Sequence, residues 1–162
     1  MYKIVENYIT NVDDIMFKVK QHEEKGKFTF RGIGGEEKHG TKYGESHFSS
    51  LFQKDMDDDL VETIWKTIPT ERKWCSQVVV NKYAPSDWLV KHQDSAGGYW
   101  KFKLVYLTEG KPHFKYWDQE DREHLVQEKK GAMFDMPIDT WHEVTKMETD
   151  EDPKYSLCLI WE

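Results

Sequence analysis

Residues 81–94 read NKYAPSDWLVKHQD, and the pattern inside this stretch decides the fold of the 162-residue chain. We predict β-strands over 76–83 and 88–94, because both segments are short and contain many β-branched and aromatic residues. Side chains two positions apart along a strand point to the same face of the sheet. His92 and Asp94 therefore present an imidazole and a carboxylate side by side.

A third candidate ligand lies far downstream, at His142 in the segment TWHEV, residues 140–144. Two histidines and one carboxylate bind one face of a metal ion and leave the opposite face open, which is the ligand set of non-haem Fe(II) oxygenases. Zinc also accepts such ligands. The sequence has no His-Glu-x-x-His pattern, and this argues against a zinc protease.

Polar residues repeat this spacing on two other predicted strands. Asn81 and Tyr83 follow a run of three valines, whereas Lys154 and Ser156 begin an apolar segment near the end of the chain. Polar side chains inside a sheet are unfavourable unless they are paired. The pattern therefore predicts that a polar ligand occupies the middle of the fold.

At these residues the chain resembles the 2-oxoglutarate- and Fe(II)-dependent dioxygenases, whose double-stranded β-helix, or jelly roll, carries His-x-Asp…His and then a basic residue. The stretch 81–94 is most similar to AlkB-type nucleic-acid demethylases. The distal part, His142 and then Lys154-x-Ser156, is more similar to prolyl hydroxylases. AlkB-type enzymes carry a second arginine six residues after the first basic residue, and Ile160 occupies that position here.

The resemblance implies a role for each of these side chains. Fe(II) would be held by His92, Asp94 and His142. The far carboxylate of the cosubstrate 2-oxoglutarate would bind the Lys154 ammonium, with hydrogen bonds donated by Ser156, Tyr83 and Asn81. The charges of Fe(II), Lys154, Asp94 and dianionic 2-oxoglutarate would then cancel, so the buried assembly would contain no unpaired charge.

The resemblance also implies the reaction. Enzymes of this superfamily use O₂ to convert 2-oxoglutarate to succinate and CO₂ while they hydroxylate a substrate C–H bond, and hydroxylation of an N-methyl carbon leads to demethylation. The same seven residues serve both outcomes, so they do not identify the substrate. The single distal basic residue, Lys154, favours hydroxylation of a protein or peptide side chain, with proline as the first candidate.

Three alternatives stay open. An AlkB-like demethylase of nucleic acid is disfavoured, because the formal net charge of −7 provides no general attraction to phosphate backbones. A free amino acid or another small metabolite is a second candidate substrate. A cupin-like barrel that binds metal without turnover would have no use for the anchor at Lys154 and Ser156. The oligomeric state is not indicated.

The chain is predicted to form one mostly-β domain over 1–162, with a jelly-roll core over 76–162. Residues 1–75 are predicted to support this core with helices and loops. Eight short strands at this spacing are typical of a jelly roll or sandwich. Besides the two strands above, we predict strands over 99–108, 112–118, 123–128, 131–136, 140–146 and 154–161.

Two helices, over 11–24 and 57–68, are predicted to pack on the outside of the β-core. Asn11 is the expected N-cap of the first helix. Within the glycine-rich stretch 26–50, residues 28–30 are predicted as a short strand, and the rest, which includes Arg31, is predicted as a loop. This loop is either a solvated connection or a lid over the substrate.

Several other polar and aromatic residues are predicted to have no role in the chemistry. His113 and His124 are predicted as surface histidines, and the acidic residues 148–152 as a solvated turn. On the strand over 99–108, one face consists of Trp100, Phe102, Leu104 and Tyr106. It is either core or substrate pocket, and core is favoured.

The two cysteines, Cys75 and Cys158, have no Cys-x-x-Cys partner, which favours reduced thiols in a cytoplasmic protein. No apolar run approaches the roughly 20 residues of a membrane span. The N-terminal residues have no signal-peptide core. We therefore predict a soluble cytoplasmic protein without a membrane partner.

Overall fold

The computed structural model describes residues 2–31, 46–68, 77–94 and 101–161. Within these ranges the chain forms two α-helices, α1 (Val12–Glu24) and α2 (Asp58–Thr67), and a 3₁₀ turn at Gln53–Asp55. The strands in chain order are β1 (Lys3–Val5), β2 (Thr29–Arg31), β3 (Phe48–Phe52), β4 (Gln77–Tyr83), β5 (Leu89–His92), β6 (Lys101–Tyr106), β7 (Phe114–Trp117), β8 (Glu123–Leu125), β9 (Met133–Asp135), β10 (His142–Val144) and β11 (Lys154–Trp161).

In the described part of the chain, these strands form two antiparallel sheets. The large sheet has the order β1-β9-β6-β11-β4-β3-β2, and the small sheet has the order β5-β10-β7-β8. The eight strands from residue 77 onward all lie within the eight predicted segments, most of them shortened at their ends. The prediction of a mostly-β fold with flanking helices is confirmed.

β11 lies between β4 and β6 in the large sheet, and all of its residues are buried. The period of two along a strand divides its side chains between two cores. One set packs with the helices, and it consists of Tyr155, Leu157, Leu159 and Trp161. The other set faces the small sheet, and it consists of Lys154, Ser156, Cys158 and Ile160. The Lys154-x-Ser156 spacing thus marks the inner face of a buried strand.

Both helices cover the outer face of the large sheet, as predicted. α2 begins after Asp57, whose carboxylate accepts a hydrogen bond from the N–H of Leu60 at 2.8 Å. Asn11 is the N-cap residue of α1, as predicted, and its carbonyl oxygen accepts from the N–H of Ile15 at 3.1 Å. Its side-chain amide does not cap the helix but donates to the carbonyl oxygen of Thr63 at 3.4 Å. No helix in the described ranges has the length and apolar character that crossing a membrane requires.

Three strands of the large sheet, β1 to β3, come from the N-terminal part of the chain. The prediction of a loop is wrong for residues 48–50, because they belong to β3, which pairs with β4. The serines of β3 weaken its hydrophobic signal, yet the buried Ser50 hydroxyl donates to the Asn81 amide oxygen at 2.7 Å. Residues 32–45 lie outside the described residues, so the lid stays a prediction.

Candidate active site

A cavity lies between the inner faces of the two sheets, and all seven predicted site residues line it: Asn81, Tyr83, His92, Asp94, His142, Lys154 and Ser156. The three candidate metal ligands come from the small sheet and the residues that follow β5, and we call them the metal end. Lys154 and the polar residues around it come from the large sheet, and we call this region the lysine end.

The register of the small sheet assembles the metal end. β5 and β10 are antiparallel neighbours, with His142 directly opposite His92. The Asp94 carboxylate reaches both rings, since Oδ1 lies 3.3 Å from Nε2 of His92 and Oδ2 lies 3.3 Å from Nε2 of His142. All three side chains are buried, and their ligand atoms lie within 4.8 Å of one another. The fold thus brings the three predicted ligands together.

Each imidazole is oriented by a backbone carbonyl two residues before it. Nδ1 of His92 lies 2.7 Å from the carbonyl oxygen of Val90, and Nδ1 of His142 lies 2.9 Å from that of Thr140. A carbonyl oxygen only accepts hydrogen bonds, so Nδ1 carries the proton in each ring. In the neutral rings, Nε2 then offers its lone pair beside Asp94. Metal-binding histidines are commonly oriented in this way.

The charges at the metal end fit a divalent cation. Burial opposes ionisation of Asp94, but the two imidazoles outweigh this effect and lower the pKa of its carboxyl below the usual range. Burial also disfavours the charged form of His142, but Asp94 outweighs burial and raises the pKa of His142. Among the described residues, no donor of good geometry reaches Oδ2 of Asp94. Fe(II) would satisfy this oxygen together with both histidines.

At the lysine end, the Lys154 ammonium lies between two tyrosine rings. Its Nζ is 5.9 Å from the ring centroid of Tyr83 and 5.8 Å from that of Tyr106. Tyr106 is 1% exposed, and its hydroxyl has no hydrogen-bond partner among the described residues. Burial raises the pKa of Tyr106, so the hydroxyl keeps its proton and can donate. Both predicted roles of this strand face hold for Leu104 and Tyr106, which belong to the core and also line the cavity, while Trp100 lies outside the described residues.

A carboxylate that no sequence pattern indicated lies beside Lys154. Oε1 of Glu128 contacts the ammonium directly, and the Glu128 and Lys154 side chains are 2% and 9% exposed. Burial lowers the pKa of Lys154. An ionised carboxylate in direct contact, as Glu128 is, opposes this effect because it favours the charged ammonium. The predicted charge balance did not include Glu128. With Glu128 ionised, the charges counted in that prediction together with Glu128 sum to one net negative charge, and the Arg31 guanidinium in the same cavity has the opposite sign.

The amide of Asn81 is engaged within the large sheet. Its Oδ1 accepts from the Ser50 hydroxyl at 2.7 Å, and its Nδ2 lies 3.5 Å from the sulfur of Cys158. Burial raises the pKa of the Cys158 thiol to about 12, so this thiol is protonated and unreactive. Cys75 lies outside the described residues. Asn81 thus helps to hold the wall of the cavity, and its bond to a cosubstrate stays a prediction.

Arg31 is a cavity residue that the sequence placed in a loop. It ends β2, at the edge of the large sheet. Its guanidinium carbon lies 5.1 Å from the ring centroid of Phe48 and 5.5 Å from that of Phe52, both on β3. The position of Arg31 depends on the pairing of β2 with β3, and no short-range motif indicates that pairing.

The predicted surface position of His113 is wrong. Its buried imidazole places Nδ1 2.8 Å from the hydroxyl of Thr145 and Nε2 2.8 Å from a carboxylate oxygen of Glu151. The Glu151 side chain is consequently only 12% exposed. The other residues of the turn over 148–152 are exposed, as predicted. His124 has a 42% exposed side chain, in agreement with the prediction.

Sequence comparison finds no matching family model and no curated protein of significant similarity. Structure comparison finds a Pseudomonas putida prolyl-4-hydroxylase, which is 13% identical with a TM-score of 0.68, over 99% of this chain and 92% of that one. A Trichoplax adhaerens prolyl hydroxylase, in complex with a peptide fragment of the hypoxia inducible factor oxygen degradation domain, is 11% identical with a TM-score of 0.69, over 99% and 82%. The epimerase SnoN, in complex with Fe³⁺, α-ketoglutarate and nogalamycin RO, is 11% identical with a TM-score of 0.71, over 99% and 78%.

At these sequence identities the similarity establishes the fold. The chain has the fold of the 2-oxoglutarate- and Fe(II)-dependent oxygenases, and the resemblance seen in the sequence motifs is confirmed at that level. The similar structures include hydroxylases and an epimerase. The fold alone therefore identifies neither the reaction nor the substrate.

Proposed function

We propose that the chain is an Fe(II)- and 2-oxoglutarate-dependent dioxygenase that hydroxylates a substrate C–H bond. One observation carries this proposal: the three candidate metal ligands and a buried ammonium line the same cavity from two sheets. Iron would be held by His92, Asp94 and His142. The far carboxylate of 2-oxoglutarate would be held by Lys154, Ser156, Tyr83 and Asn81. When bound, Fe(II) together with 2-oxoglutarate and O₂ supplies the oxidising chemistry.

Each side chain has a defined task in this proposal. The Nδ1–H groups of the two histidines are used by backbone carbonyls, which leaves both Nε2 atoms available to a metal. Lys154 supplies a positive charge to the diacid, and Tyr106 adds a hydroxyl that has no partner among the described residues. Apolar residues such as Phe114 and Val144 complete the lining and limit the access of water.

The proposed substrate is a protein or peptide side chain, with proline as the first candidate. Lys154 is the single basic residue on β11, and Ile160 lines the cavity where AlkB-type enzymes are expected to carry a second arginine. Arg31, stacked on Phe48 and Phe52, offers a cationic and aromatic surface to a bound peptide. A small-molecule substrate, the AlkB-like demethylase and the cupin-like binding protein remain the alternatives.

The proposal extends to the organisation of the chain. We infer a single domain over 1–162 whose two sheets form a double-stranded β-helix core. Residues 1–75 would support this core, and the glycine-rich stretch 26–50 is its candidate lid. A cytoplasmic location is part of the same proposal, and the buried free thiol of Cys158 is consistent with it.

Two measurements test the proposed function. The first is a calorimetric titration of 2-oxoglutarate into Fe(II)-loaded protein without oxygen, and the second is succinate formation under air. We expect metal-dependent binding of 2-oxoglutarate, and succinate formation that proline-containing peptides stimulate. Stimulation by methylated oligonucleotides, with binding that weakens as salt rises, would favour the demethylase. Metal binding without any binding of 2-oxoglutarate would favour the cupin-like alternative.

A further inference from the structure

Glu128 is a buried carboxylate that the proposed reaction does not use. It lies beyond the end of β8, and both of its oxygens are engaged. Oε1 contacts the ammonium of Lys154. Oε2 accepts the backbone N–H of His113 at 2.7 Å and lies 3.4 Å from that of Phe114. The backbone at the start of β7 therefore fixes the carboxylate, and the carboxylate fixes the ammonium.

Lys154 requires such a partner. A buried ammonium is strongly unfavourable unless an anion compensates it, because burial alone lowers the pKa of a lysine such as Lys154. Other titratable groups lie near it. Tyr83 and Tyr106 lie beside it, and the same cavity contains Arg31, His92, Asp94, His142 and Cys158. A second cavity, which Lys154 also lines, contains Glu109, Lys111, Glu151 and Asp152. Among the carboxylates of the described residues, Glu128 is the one in direct contact with the ammonium.

We propose that Glu128 is a positioning residue that keeps Lys154 charged and in place before the cosubstrate binds. This inference rests on the proposed function, because Lys154 is the residue assigned to the far carboxylate of 2-oxoglutarate. Its consequence is an affinity for 2-oxoglutarate that stays nearly constant across the neutral pH range. Without Glu128, formation of the complex would require protonation of Lys154.

The sign of the pH effect follows from linkage. Below the pKa of Lys154 the ammonium is already present, so binding of 2-oxoglutarate takes up no proton. Above that pKa, each unit of pH lowers the protonated fraction, and therefore the affinity, by about tenfold. Removal of the Glu128 charge also strengthens the attraction between the ammonium and a dianion, so absolute affinities alone do not test the inference. The decisive quantity is the slope of 2-oxoglutarate affinity against pH.

The test measures 2-oxoglutarate binding by calorimetry, without oxygen and with Mn(II) in place of Fe(II), from about pH 6 to about pH 9. Wild type should show a flat profile, whereas Glu128→Gln should lose affinity about tenfold per pH unit above neutrality. Glu151→Gln is the matched control, since its carboxylate pairs with His113, and it should follow wild type. Equal slopes in wild type and Glu128→Gln would overturn the inference.

A rescue variant separates a charge effect from a packing effect. The guanidinium of arginine stays protonated across this pH range. The double variant Glu128→Gln/Lys154→Arg should therefore regain a flat profile, although its absolute affinity will differ from that of wild type. A slope in this variant equal to that of Glu128→Gln would show that the pH dependence does not come from Lys154, and the inference would fail.

A direct measurement does not depend on the folding of any variant. Heteronuclear NMR of the Lys154 Nζ in the wild-type protein should show an ammonium that persists well above neutral pH without 2-oxoglutarate. Deprotonation near pH 7 would overturn the inference. Failure of the proposed function gives a different result, because the wild-type protein would then not bind 2-oxoglutarate at any pH.

Discussion

The metal end and the lysine end of the cavity are held in place in different ways. At the metal end, each histidine is oriented by a carbonyl of its own chain segment, and the ligands come from neighbouring strands of one small sheet. At the lysine end, Lys154 depends on Glu128, which comes from beyond β8 and outside the large sheet. Local carbonyl contacts therefore orient the histidines at one end, whereas a side chain from a distant segment holds Lys154 at the other. Changes at the metal end should affect binding alone, and changes at the lysine end should also affect folding.

The largest effect is expected at the metal end. In Asp94→Ala only two imidazoles remain, so metal affinity should fall more than about 100-fold, and succinate formation should fall with it. The histidines keep their own carbonyl partners, so the metal-free variant should stay folded. Metal content after dialysis, succinate formation and thermal unfolding measure these three outcomes.

The matched control for this prediction is Glu143→Gln. Glu143 follows His142 on β10, but its carboxylate lies 3.8 Å from the Lys115 ammonium and is 26% exposed. This variant should retain metal as wild type does. If Asp94→Ala retained its metal in full, the three clustered side chains would not be the metal site.

The second prediction concerns stability at the lysine end. Lys154→Met leaves Glu128 buried without its cation, which should lower the free energy of unfolding by about 3–5 kcal/mol. The double variant Lys154→Met/Glu128→Gln removes both charges and should recover most of this loss. Chemical denaturation of the three proteins measures the difference.

The same two variants distinguish binding of 2-oxoglutarate at the lysine end from binding of metal at the metal end. Both lack the ammonium and should bind 2-oxoglutarate at least about tenfold more weakly, because a hydrogen bond to a charged group contributes about 1.5–3 kcal/mol. Both should retain metal, because the histidine and aspartate ligands are unchanged. Equal destabilisation of the single and double variants would contradict the pairing of Lys154 with Glu128.

The sequence predicted which polar side chains line the cavity where their geometry is short-range. The period of two places His92 beside Asp94, and the same rule places Lys154 and Ser156 on one face of β11. Hydrophobic runs also located the eight strands from residue 77 onward. Only the approach of His142 needed the resemblance to a known family, because it depends on the pairing of β10 with β5.

The parts that the sequence did not indicate depend on tertiary contacts. Glu128 and Arg31 approach the cavity from the end of one strand and the edge of a sheet, and no spacing rule joins them to the ligands. Tyr106 lies on β6, where side chains alternate between the two faces as in an ordinary core strand. The sequence pattern therefore did not indicate a role for its hydroxyl. The sequence did not predict β3 as a strand, because its serines reduce its apolar character. These serines, including Ser50, are nevertheless enclosed by neighbouring strands.

The third prediction concerns the hydroxyl of Tyr106, and a smaller effect is expected. Tyr106→Phe removes one proposed donor to the diacid, so affinity for 2-oxoglutarate should fall about tenfold. The metal-free protein should lose no stability, because this hydroxyl has no partner among the described residues. Calorimetry and chemical denaturation measure the two quantities.

Tyr155→Phe is the control with the opposite expectation. Its hydroxyl donates to a carboxylate oxygen of Glu23 at 2.8 Å, and its ring packs with the core on the helix side of the large sheet. Loss of this bond should lower the free energy of unfolding by about 1 kcal/mol and leave 2-oxoglutarate binding unchanged. If both variants lost stability and neither lost affinity, Tyr106 would have only a structural role.

The smallest effect is expected for Glu151, at the border of the lysine end. Burial raises the pKa of its carboxyl, but hydrogen bonds from His113 and from the N–H of Glu148, with the nearby Lys111, outweigh burial and lower it below 4.5. A depressed folded-state pKa gives stability that is present above the unfolded pKa and is lost as pH falls through the folded one. Wild type should therefore lose stability below about pH 4.5.

Glu151→Gln should lose less stability over that acid range, with a difference of about 1 kcal/mol, which is the typical net contribution of one hydrogen bond. At neutral pH the variant should bind 2-oxoglutarate as wild type does, because Glu151 holds His113 whereas Glu128 holds Lys154. Urea denaturation between about pH 3 and about pH 7 measures the effect. If the free energy of unfolding fell equally with pH in both proteins, Glu151 would make no contribution to the loss of stability in acid. A loss of cosubstrate affinity would instead show that the lysine end depends on a wider charge network than one buried pair.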